Sequence, residues 1–292
     1  MQRLPPWIRV RFKTGGKYGL VQSLLDEQNL HTVCDSAHCP NRQECFNRGT
    51  ATVMILGNVC TRNCRFCAVA SPDGHAGTPA PLDPQEPERA AQLIKKLNLQ
   101  HAVITSVTRD DLPDGGASAF AETISAIRKL TAGQTTIEVL TPDFNGSESA
   151  LDTVLSARPD VFNHNLETVK RLQALVRPQA DYRRSLAVLK YAAASKNARI
   201  VKSGLMAGMG ENDEEIYEAL RDLLDAGCRY LTIGQYLAPS KKHWPADRFV
   251  TPELFAEYEK RALAMGFKWV ASGPLVRSSY LAENFFRNAR TR

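Results

Sequence analysis

A chain of 292 residues, 43% of them hydrophobic, is long enough to bury a sizeable core as one large domain or two ordinary ones. Lys and Arg outnumber Asp and Glu by 37 to 31, a formal charge of +6, and the longest apolar run, residues 51–56, falls far short of the about 20 residues that span a bilayer. Seven cysteines, with no apolar leader after Met1-Gln2-Arg3-Leu4-Pro5-Pro6, argue against a secreted disulfide framework and predict metal or redox chemistry in a cytoplasmic protein.

Residues 1–33 open on a Pro-rich basic segment in which Arg3, Arg9, Arg11, Lys13 and Lys17 meet no acid. Residues 18–30 show a weak helical alternation (Leu20, Val21, Leu24, Leu25) and predict a segment that wraps over the body without a core of its own. Cys34, Cys39 and Cys45 follow, spaced Cys-x4-Cys-x5-Cys, with His38 between the first two read as a loop histidine in preference to a ligand. Directly after the apolar run and Gly57 come Cys60, Cys64 and Cys67, spaced Cys-x3-Cys-x2-Cys. A loop this tight can aim three sulfurs at one small inorganic body, and thiolates suit iron–sulfur clusters, zinc or copper(I). Structural zinc closes with four ligands, and His75 would be a fourth only at an unfamiliar spacing. The seven thiols divide into three, three and Cys228, which follows Gly227 and is expected to be a buried free thiol.

From residue 51 onward short apolar or β-branched runs predict strands at 52–56, 102–107, 135–140, 160–163, 199–203, 230–234 and 268–271. Helical periodicity lies between them at 86–97, 117–130, 147–157, 182–194, 213–226 and 252–264. Asn212 followed by Glu215 fits a capping box, and Thr251-Pro252-Glu253 places Pro at a first helical position. Alternation of this kind predicts an α/β fold, a partial (β/α)6 barrel with N- and C-terminal extensions, its function gathered at the C-terminal ends of the strands. The expected division is an extension over 1–50, a barrel over 51–265 and a second extension over 266–292, all within one compact domain.

Cys-x3-Cys-x2-Cys with Phe66 before the last cysteine resembles the signature of radical S-adenosylmethionine enzymes. The resemblance implies a [4Fe–4S] cluster on Cys60, Cys64 and Cys67. Its open iron takes the amino and carboxylate groups of S-adenosylmethionine, which is cleaved to a 5′-deoxyadenosyl radical. In that family a turn after the second strand, often Gly-Gly-Glu, supports the amino group. This chain departs from it with Thr105, Ser106, Arg109, Asp110, Asp111 and Asp114-Gly115-Gly116, a turn suited to an ammonium and a carboxylate. Asn163, Asn165 and Glu167 are candidates for the ribose hydroxyls. The stretch from Lys202 through Gly204 to Gly208 allows close backbone approach to adenine, and Gln235, Tyr236 and Leu237 form a candidate adenine shelf. His164 is read as a packed, satisfied histidine in preference to a catalytic one, and Lys202, though a candidate contact, as an ordinary barrel-rim cation.

Toward the C-terminus, Arg277-Ser278-Ser279-Tyr280 behind the two cysteine sets resembles the lipoyl synthases, over a match from 33 to 282. That resemblance implies a second, auxiliary [4Fe–4S] cluster on Cys34, Cys39, Cys45 and Ser279, with Ser278 the alternative. An alkoxide is a hard ligand on an iron that prefers sulfur, and so an easily displaced one; the plain alternative is a serine capping a helix. It also implies insertion of two sulfur atoms at C6 and C8 of an octanoyl chain on a carrier lysine, with the auxiliary cluster as sulfur donor. The two extensions would meet over the barrel mouth, Arg277 orienting that closure or the cofactor. Implied partners are octanoylated carriers (the glycine cleavage H protein, E2 subunits of 2-oxoacid dehydrogenases) and an electron donor such as flavodoxin or ferredoxin, with neither nucleic acid nor membrane. The basic ends, including Arg287, Arg290 and Arg292, and Lys241-Lys242-His243 are candidate docking surfaces. Rival readings are a sulfur inserter of the biotin synthase or tRNA methylthiotransferase kind, and a zinc-stabilised binding module. Two cubanes would bring roughly eight irons and eight sulfides per chain; zinc would bring no sulfide.

Overall fold

The computed structural model describes residues 3–8, 16–72 and 77–279, so Arg9, Arg11, Lys13, His75, Tyr280, Arg287, Arg290 and Arg292 lie outside the described residues. Helix α1 (Tyr18–Glu27) buries Val21, Leu24 and Leu25 of the alternation read in the sequence, while Leu20 is exposed. Strand β1 (His31–Thr32) pairs antiparallel with β2 (Thr52–Ile55), His31 opposite Met54. Between them the short helices α2 (Val33–Ser36) and α3 (Arg42–Asn47) carry Cys34 and Cys45, and the Thr32 side chain caps α2 by accepting from the Asp35 backbone N–H.

Six further strands follow: β3 (His101–Ser106), β4 (Thr136–Leu140), β5 (Val161–Asn163), β6 (Ile200–Ala207), β7 (Tyr230–Gln235) and β8 (Trp269–Gly273). They alternate with α4 (Glu86–Lys96), α5 (Ala117–Leu130), α6 (Glu148–Ser156), α7 (Lys170–Val176), α8 (Tyr182–Ala194), α9 (Asp213–Asp225) and α10 (Pro252–Met265). From β2 to β8 each strand is parallel to the next in sequence, the topology of a partial (β/α) barrel. Among the described residues β8 pairs with β7 alone and β2 carries β1 on its outer side, so the ring stays open. All seven strands expected from the sequence are present; β1, α2, α3 and α7 are additional, each too short to leave a periodic signal.

Alternate residues of the strands point two ways. Ile104, Val139, Phe162, Leu231 and Ile233 are buried in one core with Phe120 of α5, Leu151 of α6, Leu189 of α8 and Leu220 of α9. The intervening residues His101, Glu138, Asn163 and Lys202, all buried, bond to one another across the barrel interior. Helix starts follow their sequence signals. Asn212 and Glu215 form both bonds of a capping box, and Thr251 accepts from the Leu254 N–H ahead of Pro252, caps worth about 1 kcal/mol each.

The N-terminal segment departs from its expectation in one respect: Val21, Leu24 and Leu25 join the main core together with Phe46 of α3. The Trp7 indole N–H donates to the Val250 carbonyl at 3.2 Å, and the Asn41 amide to the Leu275 carbonyl at 2.7 Å. No helix of the described residues is long and apolar enough to cross a membrane.

Candidate metal centres

The loop of Cys60, Cys64 and Cys67 leaves the C-terminal end of β2 through two consecutive left-handed residues, Leu56 (φ 70°) and Gly57 (φ 83°). Their N–H groups donate to the carboxylate of Glu86, the first residue of α4, at 2.7 and 3.4 Å, which leaves no orphan donors at the bend. Main-chain bonds then tack the loop down: Cys60 N to Ala70 O, Thr61 N to Thr108 O, and Arg65 N to Val176 O at the end of α7. Arg62, 5% exposed, is the loop's internal tie. Its guanidinium meets Asp110 at 2.7 and 2.9 Å, Asp143 at 2.8 Å and the Asn145 amide oxygen at 2.8 Å. Burial works against the Asp143 carboxyl ionising, yet Arg62 and Arg184 beside it hold it well below the usual carboxylate range. The Cys60 sulfur accepts N–H bonds from Arg62 and Thr108 at 3.4 and 3.3 Å, which fix its position in the loop.

Past the ends of β5 and β6 lies a buried polar lining. Glu167 is left-handed (φ 71°), yet it bridges to Leu205 of β6 and is pinned by Glu167 N to Gly204 O and Met206 N to Glu167 O. A carboxylate residue held in that backbone region is the kind of strain that gathers at functional sites. Burial pushes the Glu167 carboxyl up, against the pull of Arg177 and the Asn165 amide. Arg177, itself buried, reaches the carbonyls of Leu166 and Asn165 at 3.2 and 3.5 Å, and its charge opposes the burial that raises the Cys64 thiol. Among the described residues Ser106 Oγ, Asn163 Oδ1, Asn165 Oδ1, His164 Nε2 and Arg177 Nε are buried without a partner, which leaves polar capacity for a ligand.

Other expected contacts are spent inside the protein. Thr105 donates to the Leu140 carbonyl at 2.9 Å. The Gln235 amide spans the Tyr236 and Arg248 carbonyls and the Val250 N–H, and so fastens the loop ahead of α10. Tyr236 is buried with its hydroxyl on the Trp244 carbonyl, and Leu237 is half-buried. The acidic turn is committed as well: Asp110 to Arg62, Asp111 to Arg109, and Asp114 to the N–H groups of Gly116 and Ser118 at the start of α5. It is therefore a brace for the cysteine loop and a helix cap, where the sequence suggested an ammonium cradle. His164 is packed as expected, its Nδ1 on the Thr141 carbonyl at 2.9 Å, and burial pulls the imidazole down to about 4. Lys202 is 1% exposed and inside the barrel; it is not a rim cation. Cys228 is a fully buried thiol against the Val201 and Tyr230 carbonyls.

The other three cysteines line one pocket with Asn41, Thr50, Thr52, His101, Arg277 and Ser279, around about 470 Å³ of space that is partly open to solvent. Thr52 and His101 are the first residues of β2 and β3, so this pocket sits at the N-terminal ends of the strands. The two extensions meet there, at the opposite end from the mouth where the sequence reading put them. The four residues of β2 lie between the two sets of thiols, a length of roughly 13 Å at about 3.3 Å per residue.

The C-terminal segment reaches the pocket by turning back from β8 across the inner face of β7 and β6. An added Cβ on Gly234 would stand 2.1 Å from the Val276 carbonyl, and one on Gly204 would stand 3.1 Å from Ser278 Oγ. The two serines part company. Ser278 Oγ accepts from the Asn165 amide at 2.7 Å, whereas Ser279 Oγ accepts from Thr52 at 2.8 Å and lines the cysteine pocket. Arg277 is half-buried beside Cys39, and its Nη1 donates to the Val276 carbonyl.

The donor sets fit iron–sulfur clusters. Burial pushes the Cys34 thiol up to about 11 and those of Cys45 and Cys67 up to about 12. Thiols so reluctant to ionise alone give up their protons when a cation takes its place. Among the described residues no three His, Cys, Asp or Glu side chains converge as they would on a single metal ion. His101, Glu138, Arg62 and Arg177 escaped the sequence reading, because each meets its partners only through folding. The Arg62 position inside the cysteine loop was the one available signal.

The family model for the radical SAM superfamily matches residues 54–223. Among curated proteins the chain is 54% identical to a lipoyl synthase of Rubrobacter xylanophilus, over 98% of this chain and 87% of that one. It is 53% identical to a lipoyl synthase of Caldicellulosiruptor saccharolyticus, over 96% of each. Among solved structures, Streptococcus suis SuiB bound to S-adenosylmethionine superposes with a TM-score of 0.57 at 12% identity, over 75% of this chain and about half (49%) of that one. Methylornithine synthase superposes at 0.55 and 13% identity, over 87% and 75%; both likenesses speak to the fold. With more than half its residues shared along nearly its whole length, the chain belongs to the lipoyl synthase family of the radical SAM superfamily.

Proposed function

We propose that this protein inserts two sulfur atoms, at C6 and C8, into an octanoyl chain amide-linked to a lysine of a lipoyl carrier protein. Family membership supports the reaction, with S-adenosylmethionine and a [4Fe–4S] cluster as cofactors. The observation that carries the finer reading is the second pocket, where Cys34, Cys39, Cys45 and Ser279 stand together at the far end of the barrel from Cys60, Cys64 and Cys67. Cys60, Cys64 and Cys67 would hold the first cluster, and Cys34, Cys39, Cys45 and Ser279 an auxiliary one. When bound, the first supplies the electron that cleaves S-adenosylmethionine, and the second supplies the sulfur.

The chain's own residues bind and orient. Asn163, Asn165 and Ser106 offer buried polar atoms, and half-buried Glu167 a carboxylate, to the cofactor's ribose and amino-acid ends, and Arg177 is a buried cation for its carboxylate. Tyr236 and Leu237, beside the cysteine loop, form the apolar side of the adenine site. Unactivated C–H bonds lie beyond any side-chain acid or base, so the protein's task is to place the alkyl chain between the two thiol sets and keep water away. On a division into extensions of 1–50 and 266–292 and a barrel of 51–265, the described parts of the two extensions build the second pocket, while β8 of the second also joins the barrel sheet. The carriers are the glycine cleavage H protein and E2 subunits of 2-oxoacid dehydrogenases, and a flavodoxin or ferredoxin supplies electrons. Seven free cysteines suit a reducing cytoplasm.

Mass spectrometry tests this directly. An octanoyl-lysine peptide incubated anaerobically with reconstituted protein, S-adenosylmethionine and reductant should gain two sulfurs. A peptide that comes back unchanged, or oxidised without sulfur, rules the reading out.

A further inference from the structure

Lys202, the third residue of β6, is buried within the barrel. Its ammonium donates to Glu138 Oε1 of β4 at 2.9 Å and to the main-chain carbonyl of Ser278 at 2.6 Å. Glu138, wholly buried, also accepts from the Asn163 amide at 2.8 Å and faces His101 Nε2 at 3.3 Å; His101 Nδ1 lies 2.8 Å from Thr136 Oγ1. Four parallel strands thus contribute to one polar knot beneath the C-terminal segment.

A buried ion pair is weak evidence for stability, because well-packed apolar residues of like size often do as well. This pair does supply a cation fixed at one point of the interior, and a peptide carbonyl of the C-terminal segment takes it. That carbonyl joins Ser278 to Ser279. On its one side Asn165 holds the Ser278 hydroxyl away from the cysteines; on its other the Ser279 hydroxyl stands in their pocket. The strand beneath supplies Gly204, where any side chain would press on Ser278.

We infer that Lys202, aimed by Glu138, is the positioning residue for the hydroxyl ligand of the Cys34–Cys39–Cys45 site: its hold on the Ser278 carbonyl sets Ser279, and not Ser278, among the thiols. The inference rests on the reading of Ser279 as that ligand. A purely structural ion pair would serve the barrel equally well whichever serine faced the pocket.

The test measures iron loss from reconstituted full-length protein to a chelator, with Cys34→Ala used to identify the phase that belongs to the second pocket. Ser279→Ala should speed that phase. Lys202→Met should speed it about tenfold, the worth of one hydrogen bond to a charged group. Because a lone buried Glu138 destabilises the fold by itself, the decisive variant is Glu138→Gln/Lys202→Met, which removes both charges. Its melting temperature should stand above that of Lys202→Met while the fast iron loss persists, and Ser278→Ala should stay within about twofold of the parent. If Ser279→Ala speeds the phase and Glu138→Gln/Lys202→Met does not, or if iron retention recovers in step with melting temperature, Lys202 is merely structural. If Ser279→Ala itself changes nothing, the ligand reading falls first, and the inference with it.

Discussion

Replacing Arg62 by Met removes the tie inside the first cysteine loop. Four side-chain bonds disappear, two to Asp110, one to Asp143 and one to Asn145. Breaking a buried ion pair from one side costs about 3–5 kcal/mol. Asp110 is partly exposed and can rehydrate, and Asp143 keeps Arg184 at 2.7 Å, so the low end applies, about 3 kcal/mol. In a chain of this size, at roughly 2 °C per kcal/mol, that is roughly 6 °C in melting temperature. Arg62→Lys, which can keep one carboxylate, should lose about half as much.

The sign with pH follows from Asp143. Its carboxyl is depressed in the fold from an ordinary 3.8, so the stabilisation is complete at neutral pH and fades only as pH falls below that value. The deficit of Arg62→Met should therefore be full at pH 7 and shrink in acid. Scanning calorimetry of anaerobically prepared protein, with iron content before and after gel filtration, measures both effects. An Arg62→Met protein that melts within about 1 °C of the parent and keeps its iron would refute the bracing role.

Gly234→Ala puts a Cβ 2.1 Å from the Val276 carbonyl, so the C-terminal segment must move. The expected outcome is a loss of about 1–3 kcal/mol in urea denaturation and faster alkylation of Cys39 in the iron-free chain. Burial alone would raise the Glu138 carboxyl, but Lys202 and His101 hold it down to about 2 from 4.5. Its stabilising share is present above about pH 4.5 and lost as pH falls toward 2; the gap between parent and Glu138→Gln in acid titration of the iron-free chain should close in that window, and a constant gap would contradict it. Cys228→Ala should cost about 1 kcal/mol and leave iron per chain unaltered, since its thiol only fills core space.

The chemistry was legible where it is local. Cys-x3-Cys-x2-Cys and Cys-x4-Cys-x5-Cys are spacings, and a loop can be read from spacing. The parallel strands were legible because seven apolar runs alternate with helical periods. What stayed hidden arises from convergence. Strand β1 has two residues, too few for any pattern, yet its pairing with β2 carries the first cysteine set to the N-terminal end of the barrel. Lys202 reads in sequence like any strand-end cation; only the fold sets Glu138 and the Ser278 carbonyl beside it. The acids after β3 looked like ligands because their Arg62 and α5 partners are distant in sequence or hidden in main-chain N–H groups.

The ring of strands that stops at β8 has a mechanical consequence. Opening a sealed ring would mean tearing one strand from the next along its whole length. Here the C-terminal segment that floors the chamber is fastened to the barrel by side-chain bonds from Thr52, Asn165 and Lys202 and to the N-terminal extension by one from Asn41, each worth on the order of 1 kcal/mol. Those latches can give way without unpairing any of the seven parallel strands.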